Sequence, residues 1–98
     1  MLNKNQIKHL KALAHRLNPL VLIGAAGLSA SVEKEIDRAL GSHELIKVKL
    51  GNRDDGEQQT MIERISDTLG AELIQQIGHT AVFFRRNKKE PKIELPKK

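Results

Sequence analysis

Cysteine is absent from the chain. Disulfides and thiolate metal sites are therefore excluded, and a reducing compartment is expected. Tryptophan and tyrosine are absent too, and Phe83 and Phe84 are the sole aromatic residues. Proteins that read nucleic acid by stacking bases normally offer exposed aromatic faces. Any such partner would have to be held here through its backbone and shape. No apolar run approaches the ~18 residues needed to cross a bilayer. The opening residues, MLNKNQIKHLKAL, contain no apolar segment of the secretory-signal type. A soluble cytoplasmic protein without a membrane partner is expected.

What is present is positive charge. Seventeen Lys and Arg stand against twelve Asp and Glu, a formal net charge of +5 over 98 residues. Such a balance steers polyanions and releases their counterions. A cationic solubilising surface is the plainer alternative. The length fits one domain with a modest core.

The apolar spacing predicts seven elements. Ile7, Leu10, Ala14 and Leu17 make the buried stripe of a first helix over about Asn3 to Leu17. Lys4, Lys8, Lys11 and His15 repeat at the same spacing and form a ridge flanking that stripe. Asn18-Pro19 ends the helix. Leu20–Ile23 reads as a short strand covered on both faces. Gly24-Ala25-Ala26-Gly27 follows as a turn. A second helix, about Ser29 to Leu40, has Ser29 as N-cap and Gly41 at its end. ELIKVKL, residues 44–50, alternates like a half-buried strand. GNRDDG, residues 51–56, is a turn cluster. Asp55 with Gln58 resembles a capping box for a third helix ending near Leu69. AELIQQI and TAVFFRR form a hairpin across Gly78-His79, a loop with glycine first that fits type II′. In that register Glu72 faces Arg85. The domain is expected over residues 1–86. Residues 87–98, rich in lysine with two prolines, are expected to be a disordered basic tail.

The order α-β-α-β-α-β-β implies a fold of the α/β class, in an α+β two-layer arrangement, with a four-stranded mixed sheet. Parallel strands share an end. Gly24–Gly27, Asn52-Arg53 and Gly78-His79 are therefore expected at one edge of the sheet, with the start of the first helix, and so Lys4 and Lys8, beside them. His15, Arg16, Arg85 and Arg86 belong to the opposite edge. At the first edge the second helix points its N-terminus outward, with unpaired amides and a positive dipole end. Flanking glycines would let a phosphate approach. A packing turn remains the other explanation of the same four residues.

Three stretches taken together, AHRLNPLVLIGAAGLS, ELIKVKL and AELIQQIGHTAVFFRR, carry a family resemblance over about residues 2–86. In this order and spacing the chain resembles the CRM domain (chloroplast RNA splicing and ribosome maturation), especially its stand-alone bacterial YhbY-type members. The resemblance implies an RNA-binding domain with a sheet like that of the C-terminal domain of translation initiation factor three. It also implies association with precursors of the large ribosomal subunit, hence with 23S rRNA. The family's G-x-x-G loop falls on Gly24, Ala25, Ala26 and Gly27. Family members commonly carry lysine where this chain has Ala25, so more of the attraction must come from backbone amides and neighbouring cations.

The candidate RNA-contacting residues are thus Gly24, Ala25, Ala26, Gly27, Ser29, Lys4, Lys8, Lys11, Asn52, Arg53 and His79. A general RNA chaperone or another nucleic-acid-binding adaptor is the alternative. An enzyme is disfavoured. His9, His15, His43 and His79 are scattered without metal-ligand spacing. Ser29 and Ser31 have no base nearby in sequence. Asp54 and Asp55 are explained by a helix start. Neither a Walker G-x-x-x-x-G-K-[ST] nor a G-x-G-x-x-G pattern is present. No cofactor, metal or small-molecule substrate is expected, and the chain is expected to be a monomer.

Overall fold

The computed structural model describes residues 2–97. Its elements run α1 (Lys4–Ala14), β1 (Val21–Leu22), α2 (Ala30–His43), β2 (Leu45–Lys49), α3 (Asp55–Leu69), β3 (Glu72–Ile77) and β4 (Thr80–Phe84). The expected order is thus present in full. The strands form one mixed sheet in the order β1-β2-β4-β3. β1 pairs with β2 in parallel, and β4 lies antiparallel to both β2 and β3.

Each helix start has a physical cause. Asn3 caps α1 in a capping box: its side chain accepts from the Gln6 amide at 2.8 Å, and Gln6 Oε1 accepts from the Asn3 amide at 3.0 Å. Ser29 Oγ accepts from the Val32 amide. Asp54, not Asp55, caps α3, accepting from the Glu57 amide at 2.8 Å. That shift by one residue frees Gln58 to turn inward, where it is buried. α1 ends earlier than expected, at Ala14; residues 15–17 continue as a tighter turn, with Arg16 and Leu17 donating to the carbonyls three residues back. α2 runs past Gly41 to His43, so Gly41 lies inside the helix and Glu44 caps it.

Alternation along the strands builds two cores. Ile46, Val48, Ala81 and Phe83 face α2 and α3, packing with Ile36, Leu40, Ile62 and Ile65. Leu45, Ile74, Val82 and Phe84 face the other way, against Leu10 and Ala14 of α1. Helices therefore lie on both faces of the sheet, α2 and α3 on one and α1 on the other. Fully burying one such Leu, Ile or Phe side chain contributes roughly 1.5–3 kcal/mol. β1 sits at the sheet edge and is not covered on both faces. Val21 and Ile23 are buried, while Leu20 and Leu22 are exposed on the α1 side.

The hairpin follows the expected register from Ile77↔Thr80 to Gln75↔Val82. A bulge at Ile74 then shifts it by one, so Glu72 pairs with Phe84 and not with Arg85. Gly78 has φ +57 and His79 is not in the left-handed region, as a type II′ turn requires.

α1 touches β2 and β3 but these strands are separated by β4. The helix must therefore cross the strands. Leu2 and Gln6 line a depression with Glu72, Phe84, Arg85 and Arg86. Leu13, Arg16 and Leu17 line another with His43 and Leu45. Both ends of α1 thus lie at the edge where β2 and β3 begin. This corrects the expectation that Lys4 and Lys8 lie beside the glycine turn; an extended turn through Pro19 lets α1 cross the sheet instead of running antiparallel to β1.

The segment after Asn87 has no helix or strand, and the expectation for it was disorder. In the structure it lies along α1: Ile93 and Leu95 pack on the Leu10 core, and Gln6 Nε2 donates to the Pro96 carbonyl. Glu44 explains why a lysine-rich segment can settle there. Its fully buried carboxylate accepts from the amides of Asn87 and Lys92 at 2.6 Å and of Ile93 at 2.8 Å. Arg86 Nη1 lies 3.5 Å away. Burial alone would push the Glu44 carboxyl up. The three amides and the Arg86 charge outweigh that and lower its pKa from the ordinary value. Glu44 also has φ +64, a strained conformation for a non-glycine residue. Met1 and Lys98, the outermost residues of the expected domain and tail, lie outside the described residues.

Candidate nucleic-acid interface

The three loops expected at one edge do meet there. Arg53 ties them together. Its Nη1 donates to the carbonyls of Ile23 and Leu50, and its Nη2 to that of Gly24. The guanidinium can lie in this position because Gly51 has no side chain. A Cβ at Gly51 would stand 2.5 Å from Arg53 Nη1 and 3.1 Å from the Ile23 carbonyl. Arg53 is half-buried, and three of its donors are committed to backbone. It holds the glycine turn in place and contributes charge from behind it.

Gln58 completes the support. Its Nε2 donates to the Arg53 carbonyl at 2.8 Å and lies 2.6 Å from His79 Nδ1, while its Oε1 accepts from Gln76 Nε2 at 2.8 Å. With Gln58 donating, His79 Nδ1 accepts, which leaves Nε2–H as the ring's remaining donor on an exposed residue. The Leu50 amide donates to the His79 carbonyl at 2.7 Å. Sequence reading took Gln58 for a cap residue and so missed this role. Its signal was a polar side chain at the start of the stripe that Ile62 and Ile65 continue.

The turn itself is exposed at Gly24, Ala25 and Ala26. The Gly27 amide donates to the Gly24 carbonyl at 3.0 Å and closes it. The two glycines differ. Gly27 has φ +78, which favours glycine for conformational reasons, and Met61 lies beneath it. Gly24 is outside the left-handed region, and a Cβ added there would meet nothing within 4 Å. The fold therefore gives no reason for glycine at 24, whereas a close ligand would. Ser29 and the exposed Ala30 and Ser31 open α2 directly behind this turn. The edge is not uniformly cationic: Glu57 shares a depression with Leu22–Ala25 and Gly51–Arg53, and Asn52 lines it as an exposed residue.

Charge is distributed unevenly between the two sides of the sheet, although Glu72 and Glu94 lie on the α1 side. α2 and α3 together carry seven carboxylates against Lys34, Arg38 and Arg64. α1 carries Lys4, Lys8 and Lys11, all exposed, and no carboxylate; the first acidic residue of the chain is Glu33. Leu45 faces α1, so alternation places Lys47 and Lys49 on that side as well. The C-terminal segment, with His9 and Leu13, occupies one flank of α1. By helical spacing the lysine ridge lies on the other flank. Lys4, Lys8 and Lys11 are thus separate from the turn, which leads into α2 and rests on Met61 of α3. Lys47 and Lys49 were missed because their strand was read for its apolar positions; two lysines alternating with Ile46 and Val48 are the signal.

At the opposite edge two cations are engaged, Arg85 and Arg86, while Arg16 is exposed. Arg85 pairs with Asp37 at 2.6 Å and donates to the Leu69 carbonyl, which ties β4 to α2 and α3. Arg86 donates to the Ile93 carbonyl. Among the described residues no group of three His, Cys, Asp or Glu could hold a metal ion, and no helix is long and apolar enough to cross a membrane.

Known proteins are similar to this chain in sequence, and a solved structure is similar in fold. Residues 2–85 match the CRS1 / YhbY (CRM) domain. The chain is 44% identical over 97 residues to a Haemophilus influenzae protein named "RNA-binding protein", covering 99% of this chain and 97% of that one. It is 32% identical over 96 residues to the Bacillus subtilis "Probable RNA-binding protein YqeI", covering 98% and 100%. The solution structure of hypothetical protein SAV1595 from Staphylococcus aureus, for which RNA binding has been proposed, superposes with a TM-score of 0.82 at 35% identity, covering 98% of this chain and all of that one. An exposed glycine turn at a helix start, on a mixed sheet whose other face carries a lysine-bearing helix, together with these matches across the chain, identifies the protein as a member of the CRS1/YhbY (CRM) domain family.

Proposed function

We propose that the protein binds structured RNA in precursors of the large ribosomal subunit and assists their assembly, acting as a cytoplasmic monomer without catalytic chemistry. The observation that carries this reading is Gly24: exposed, unconstrained by its own fold, and placed before the outward amides of α2. A phosphate there would meet unpaired N–H groups and the positive end of the helix dipole. Ala25, Ala26, Gly27, Ser29, Asn52 and His79 border that position. Arg53 supports it, and Lys4, Lys8 and Lys11 extend the attraction along α1. The RNA-binding names of the relatives support the partner class, and the family resemblance supports the ribosomal target.

With almost no aromatic surface, base identity contributes little. RNA is preferred to DNA through the wide minor groove and its 2′-hydroxyls. The test is binding of the pure protein to fragments of precursor 23S rRNA, to unrelated RNA hairpins and to duplex DNA over a range of salt. A log–log slope of magnitude roughly 3–6 is expected for RNA, from ~0.7–0.9 per phosphate contacted. Sedimentation with large-subunit precursors in cell extracts is expected as well. Equal affinity for every structured RNA would make the protein a general RNA-binding adaptor. Absence of RNA binding would refute the reading.

A further inference from the structure

Among the described residues nothing covers the far ends of the strands on the α1 side of the sheet. α1 crosses the strands near the starts of β2 and β3 and leaves their far ends open. The register puts four residues there in a row across the sheet: Leu22 beside Lys49, Lys49 beside Thr80, and Thr80 beside Ile77. All four point to the α1 side, because Val21, Val48 and Ala81 belong to the opposite core. Leu22 is 63% exposed and Ile77 57%, the two most exposed large hydrophobic residues in the structure. Lys47 lies one row below, and the exposed Lys4, Lys8 and Lys11 belong to the helix that packs on this same face of the sheet. No carboxylate occurs on β1, on β4, on α1 or between Leu45 and Arg53.

We infer that this row is a second RNA-contacting surface, and that its occupant is an unpaired segment of RNA. The inference rests on the RNA reading above and adds a substrate class to it. A duplex offers a protein phosphates and 2′-hydroxyls on its outside, but little apolar surface. An unpaired strand offers phosphates together with base and ribose faces. Apolar ends around a cation and a hydroxyl match the second pattern. Side chains without aromatic rings can still bury base and ribose surface, at lower yield than stacking. The glycine turn lies just beyond Leu22 at the end of β1, so one RNA can contact both: its paired part at the turn, its unpaired part on the sheet.

The experiment compares two probes by fluorescence anisotropy at fixed salt: an RNA hairpin, and the same hairpin with an unpaired extension of about five nucleotides. The extension is expected to tighten binding to the wild-type protein by about threefold to tenfold. In the double variant Leu22→Thr with Ile77→Thr, this gain is expected to vanish while hairpin affinity stays within about twofold of wild type. Both positions are exposed and threonine suits a strand, so folding is preserved; Ile77→Thr alone repeats the test should the double variant fail to fold. An extension that adds nothing to wild-type binding overturns the inference and leaves the hairpin-binding reading intact. So does a double variant that keeps the full gain, or one that weakens both probes equally; the row would then be a protein-facing or structural surface. Binding of neither probe defeats the RNA reading itself.

Discussion

Replacing Glu44 with glutamine tests how the C-terminal segment is held. The substitution keeps the shape of the side chain and removes its charge. Oε1 can still accept from Lys92 and Ile93, but the amide nitrogen cannot accept from the Asn87 N–H, now 2.6 Å from another donor. One buried N–H loses its partner, at about 1–3 kcal/mol, and two charge-assisted hydrogen bonds become neutral ones. A net loss of about 2–3 kcal/mol is expected at pH 7, where escape of the segment to water limits the penalty. Urea denaturation followed by circular dichroism reads this directly. With a slope of roughly 1–3 kcal/mol/M the midpoint should fall by about 0.7–3 M. The pH dependence supplies a second reading. The folded-state pKa of Glu44 lies below its ordinary value of 4.5, so its contribution is fully present above that value and is lost as pH falls through the lowered one. Wild-type stability should therefore decline below about pH 4.5 more steeply than that of Glu44→Gln. An unchanged midpoint at pH 7, with parallel acid profiles, would show that the carboxylate does not hold the segment.

Three other outcomes follow from the geometry. Gly27→Ala places a side chain at φ +78 and should cost about 1 kcal/mol of stability, whereas Gly24→Ala should leave the urea midpoint unchanged and weaken RNA binding severalfold; equal effects of the two on stability would remove the case for a ligand at Gly24. Lys8→Glu with Lys11→Glu should reduce the magnitude of the log–log salt slope by about 1–2, from ~0.7–0.9 per lost phosphate contact, with stability preserved because both side chains are exposed; an unchanged slope would take α1 out of the interface. Arg53→Gln removes ties to the Ile23, Leu50 and Gly24 carbonyls and should lower both stability and RNA affinity, as amide exchange at residues 23–27 would report; a loss of affinity with unchanged exchange would make Arg53 a direct contact.

What the sequence disclosed was local. Seven elements, their order, the direction of every strand and the first residue of the hairpin turn follow from periodicity, caps and glycines, and all are present. Meeting of the Gly24, Arg53 and His79 loops follows from strand direction alone. What it concealed depends on pairings distant in sequence. A single bulged residue, Ile74, separates Glu72 from Arg85, and no local signal marks it. The path of α1 is set by which strands it covers, and the order β1-β2-β4-β3 is not written in any one segment. The C-terminal segment reads as disordered because its composition cannot build a core. Its anchor is a carboxylate more than forty residues away, at a position whose positive φ a sequence with glutamate gives no reason to expect. The same limit hid the uneven charge, which appears only when the lysines of α1 and β2 are placed on one side of the sheet.

The central claim is that RNA meets the glycine turn and the α1 side of the sheet. Amide chemical-shift mapping tests it most directly, with nitrogen-15-labelled protein titrated with a hairpin from precursor 23S rRNA. The largest changes are expected at Gly24 to Ser31, with a second set along Lys4 to Lys11 and at Lys47 and Lys49. The outer faces of α2 and α3, where the carboxylates lie, should stay unchanged. Changes confined to those helices or to residues 87–97, with Gly24 to Ser31 silent, would contradict it and leave the glycine turn as a packing device.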